Sequence, residues 1–62
     1  MSMLKLIQFT LLNGERIVIN VNAIETITDL NSRARIQCIG SRPEDCYVVQ
    51  ESYDTIIRIL YN

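Results

Sequence analysis

A chain of 62 residues makes one domain, residues 1–62, and a domain this small buries only about 60% of the surface its unfolded form exposes, so a disulfide, a metal or a partner usually supplements its core. It contains no histidine, and its two cysteines cannot supply the four thiolates of a structural zinc site within one chain. Six Lys and Arg against seven Asp and Glu leave a net charge of -1, which provides no long-range field toward nucleic acid or an anionic membrane.

No apolar run approaches the roughly 20 residues of a spanning helix. The first residues, MSMLKLI, lack the charged, apolar and small-residue regions of a signal peptide. The expected location is cytoplasmic, where thiols stay reduced. The chain has no repeats, linkers or low-complexity segments that would divide it.

Residues 6–12 suit a strand, and Asn13-Gly14 is a strong hairpin signal before a second strand over residues 16–21. Two registers compete. A two-residue loop pairs Leu12 with Glu15 and divides the large apolar residues between the faces. A three-residue loop with Gly14 in the left-handed region pairs Leu11 with Glu15 and gathers Ile7, Phe9, Ile17 and Ile19 on one face. The pattern favours the second. Asn22 is then a candidate cap for a single turn through Ala23 and Ile24, and residues 25–28 extend again as a third strand.

Asp29-Leu30-Asn31-Ser32 is a turn cluster, and residues 33–39 form a fourth strand that places Ala34, Ile36 and Cys38 together. Residues 40–45 hold Gly40 and Pro43 and read as a loop, with a fifth strand over residues 46–50. The expected pairing sets Ile36 opposite Val49 and Cys38 opposite Tyr47. Ser52 caps the last element, a helix whose Tyr53, Ile56, Ile57 and Leu60 recur at i, i+3, i+4 and i+7. Ile59 and Tyr61 fall on opposite flanks of that stripe, exposed or meeting a neighbour.

The chemistry-bearing residues have simple structural readings. Cys38 and Cys46 fall on opposite faces in this register, so the expectation is two free thiols. Arg33 and Arg35 share one face of the fourth strand and Arg42 lies in the adjoining loop, a basic set able to meet a phosphate backbone. Glu25, Glu44 and Asp45 are its ordinary surface partners. Glu44, Glu51 and Asp54 are the carboxylates to weigh for acid–base work, but nothing in the pattern raises a pKa beside them. No catalytic residue, metal ligand or cofactor site is assigned. Tyr47 and Tyr53 contribute rings to the core near the strand-to-helix junction, and base stacking would need a basic groove that a chain with one lysine, Lys5, does not provide.

Residues 7–27, IQFTLLNGERIVINVNAIETI, and residues 47–52, YVVQES, resemble the small flagellar and swarming-motility proteins of the FlbD family. The shared features are a T-x-L-N-G hairpin, an I-N strand, an I-E-T-I segment and a Y-V-V-x-E-S run leading into a terminal helix. The loop at residues 40–45 departs from the family's tight Asn-Gly turn followed by lysines. Similar small proteins also occur as products of phages and mobile elements. The resemblance implies a non-enzymatic accessory protein, motility- or regulation-related, that acts through contacts.

The expected architecture is α+β: a small, bent, antiparallel five-stranded sheet, an SH3-like or Sm-like half-barrel, with one C-terminal helix. The expected function is a self-associating protein-interaction module, a homodimer or larger, with a further protein partner that the sequence does not identify. One short helix covers one side of a sheet, which leaves Val18, Ile39, Cys46 and Val48 on the other and Ile59 beside the helix stripe as interaction residues. The alternative is a module that binds nucleic acid weakly through Arg33, Arg35 and Arg42.

Overall fold

The computed structural model describes residues 5–61. In chain order these form β1 (Leu6–Thr10), β2 (Arg16–Asn20), a 3-10 turn (Val21–Ala23), β3 (Ile24–Asp29), β4 (Ala34–Cys38), a second 3-10 turn (Pro43–Asp45), β5 (Tyr47–Val49) and α1 (Tyr53–Leu60). The fold is α+β, with one antiparallel sheet of two strands, β1-β2, another of three, β3-β4-β5, and the helix at the C-terminal end.

The first hairpin has the bulged register. The Leu11 carbonyl accepts the Gly14 N–H at 3.0 Å, and the Leu11 N–H donates to the Glu15 carbonyl at 2.7 Å. Gly14 has φ 93, a conformation in which a Cβ is strained. The Asn13 side chain fixes the same turn, its Oδ1 accepting the Glu15 N–H at 2.9 Å and its Nδ2 donating to Glu15 Oε1 at 2.7 Å. As a result Phe9 faces Ile17 and Ile7 faces Ile19, and Phe9, Ile7 and Ile19 are buried together with Ile17 packed against them.

The corner after β2 is capped by Asn20 rather than Asn22. Asn20 Oδ1 accepts the Asn22 N–H at 2.9 Å, because an Asn side chain reaches the backbone two residues ahead and so caps best from the strand's last position. The β3–β4 turn uses the same device: Asp29 Oδ1 accepts the Asn31 N–H at 2.9 Å, and Asn31 takes φ 75.

The fourth and fifth strands pair two residues away from the expected register. Ala34 faces Val49 and Ile36 faces Tyr47, so Cys38 lies beyond the end of β5 and not opposite Tyr47. The 3-10 turn at Pro43–Asp45 takes up part of the connection, β5 shortens to three residues, and the buried pair Ala34 and Val49 meets in the core.

The five strands do not form one continuous sheet, and the SH3-like or Sm-like half-barrel that such a sheet would make is not formed. A single bridge, Leu11 to Val49, links the two sheets. β5 ends where the chain turns toward α1, and past that point one backbone bond and two side chains continue the seam where a strand would have. The Gln50 N–H donates to the Thr10 carbonyl at 2.7 Å, and Gln50 Nε2 to the Leu11 carbonyl at 2.9 Å. The Thr10 N–H donates to both carboxylate oxygens of Glu51, at 3.0 and 3.1 Å.

Helix α1 starts at a capping serine, Ser52 Oγ accepting the Thr55 N–H at 3.2 Å. Asp54 in the first turn and Arg58 in the last both suit the helix dipole. Ile56 is fully buried, and Tyr53 and Leu60 pack against the core formed by Ile7, Phe9, Ile19, Ala34, Ile36 and Val49.

Candidate interaction site

The chain segment INVNAIETI carries its apolar residues into a groove by means of a bulge. Ile24 pairs with Cys38 but Thr26 pairs with Gln37, so Glu25 is an extra residue on β3. On a regular strand, residues three apart point to opposite faces. The bulge removes that opposition, and Ile24 and Ile27 both pack on the core and both line the same recess.

The other wall is α1. Tyr53, Ile57 and Tyr61 recur every four residues and form one flank of the helix, next to Leu60. With Val21 from the 3-10 turn and Ile24, Glu25 and Ile27 from β3, they enclose an open groove of about 340 Å³. That volume lies at the small end of the ~300–1,000 Å³ typical of ligand sites. Glu25 is the one charged residue in the lining, and β3 beside it is an edge strand of its sheet. Tyr61 stands at the groove with 83% of its surface exposed.

The residues expected to form a second apolar face are divided between the two sheets and the helix. Val18 is 58% exposed on β2, opposite Gln8 and in the two-stranded sheet. Val48 belongs to the other sheet, half-buried and opposite Arg35. Cys46 and Ile39 lie just outside β5 and β4; Cys46 is half-buried, and Ile39 is 63% exposed. Ile59 is exposed on α1, and the groove lining comes from the helix's opposite flank. The sheet break places Val18 in a different sheet from Val48.

Arg33, Arg35 and Arg42 are all exposed. Arg33 and Arg35 are alternate residues at the start of β4, and Arg42 lies past its far end in the connection to β5. Cys38 and Cys46 are free thiols, both half-buried. Tyr53 packs on the core as expected, but Tyr47 is exposed. Of the carboxylates, Glu51 is held by the Thr10 amide in the seam, while Glu44 and Asp54 are exposed near the starts of their helical turns.

The groove was not anticipated from the sequence. Its signals are the three-residue spacing of Ile24 and Ile27 and the second helical period of Tyr53, Ile57 and Tyr61. Among the described residues, no group of three or more His, Cys, Asp or Glu side chains is placed to hold a metal ion, and no helix is long and apolar enough to cross a membrane. Comparison with protein-family models, curated proteins and solved structures gives no match for this chain.

Proposed function

We propose that this protein is a non-enzymatic interaction module that self-associates, with a motility- or regulation-related accessory role of the kind implied by its resemblance to the FlbD family. The observation that supports the reading best is the open groove between β3 and α1, lined by Val21, Ile24, Ile27, Ile57 and Leu60 together with Glu25 and two tyrosines. The eight-residue helix buries its Ile56 against the six other core residues, and the groove runs along one flank of that helix. A chain this short gains proportionately more than a large one from burying such a surface against a partner.

The weak nucleic-acid reading draws no comparable support, because none of Arg33, Arg35 and Arg42 lines the groove. Size exclusion coupled to light scattering, run from micromolar to millimolar protein, tests self-association. The expected mass is twice the 7.2 kDa of the chain, or a higher multiple, at the upper concentrations. A mass of 7.2 kDa across the whole range would remove self-association and leave the groove to an unrelated protein.

A further inference from the structure

We propose that the groove between β3 and α1 receives a second copy of this chain about a twofold axis, each copy seating the last turn of its α1 in the groove of the other. The proposal rests on the self-association reading and names the surface. A twofold contact requires one patch to supply both what projects and what receives. Tyr61 meets that condition: it lines the groove and is also the most exposed large apolar residue among those described.

Charge complementarity favours a second copy over an arbitrary apolar partner. Glu25 is the only charged residue in the groove lining. On α1, Arg58 lies three residues before Tyr61, roughly 60° further round the helix at 3.6 residues per turn. It is exposed and flanks the side chain that would enter the groove. Seating Tyr61 in the partner's groove brings Arg58 toward the partner's β3 rim, where Glu25 stands. The symmetry makes that pair twice. Asp54, one turn before Arg58, shares its flank, so Arg58 has an acidic neighbour on its own helix and Glu25 is the cleaner position to alter.

Sedimentation equilibrium on the full chain tests the assignment with Glu25→Arg, Arg58→Glu and the double variant. Each single reversal sets like charges together at two places in the dimer and should weaken association by about tenfold or more, while the double variant should return to within about threefold of wild type. All the altered side chains are exposed, and circular dichroism establishes that each variant is folded. Tyr61→Ala provides an independent arm, with a loss of about tenfold or more expected from removing an aromatic anchor. A dimeric wild type whose association is unchanged by Glu25→Arg and by Tyr61→Ala would overturn this surface while leaving self-association standing. A wild type that stays monomeric would overturn both.

Discussion

Gly14 sets the turn of the first hairpin, and Glu51 ties that hairpin to the segment leading into α1. Nothing lies within 4 Å of the position a Cβ would take on Gly14, so the cost of Gly14→Ala comes from its positive φ rather than from a clash. The expected loss is about 1–2 kcal/mol, read as a lower midpoint in urea denaturation, and an unchanged midpoint would contradict the bulged turn. Glu51 accepts the Thr10 N–H with both oxygens, and removing the carboxylate leaves a half-buried amide without its partner. Glu51→Ala should cost about 1.5–3 kcal/mol, with Glu51→Gln closer to wild type because it keeps one acceptor. Equal stability of Glu51→Ala and wild type would show that the seam does not depend on this side chain.

The hairpin register was legible because only one slip gathers Ile7, Phe9, Ile17 and Ile19 on a single face, and Asn-Gly chemistry permits that slip. The helix was legible for a similar reason, with Ser52 before it and the stripe through Ile56 within it. Ser52→Ala should therefore destabilise by about 1 kcal/mol, measured by the same denaturation, and a neutral effect would mean that the Ser52 Oγ contact with the Thr55 N–H carries no weight. The bulge at Glu25 was not legible, because one extra residue reverses the alternation from which a strand is read. The division into two sheets was not legible either. Where β5 stops, Gln50 and Glu51 supply backbone and side-chain partners to Thr10 and Leu11 in place of further strand pairing, contacts between residues about 40 positions apart that local periodicity does not encode.

At the scale of the whole molecule, three short segments of the chain set its frame. The LNG turn sets the first register, the IETI segment makes the bulge that lines the groove, and the run through Glu51 and Ser52 closes the seam and caps the helix. Around that frame the chain leaves an open groove with an acidic residue in its lining, and a helix end bearing Tyr61 and Arg58. The self-association proposed for this protein therefore has a specific atomic consequence. The direct measurement is an isotope-filtered nuclear Overhauser spectrum on an equimolar mixture of labelled and unlabelled chains at millimolar concentration. Cross-peaks between the Tyr61 ring of one copy and the Ile24 or Ile27 methyls of the other are the expected result, and their absence from a sample shown to be fully dimeric would contradict the account.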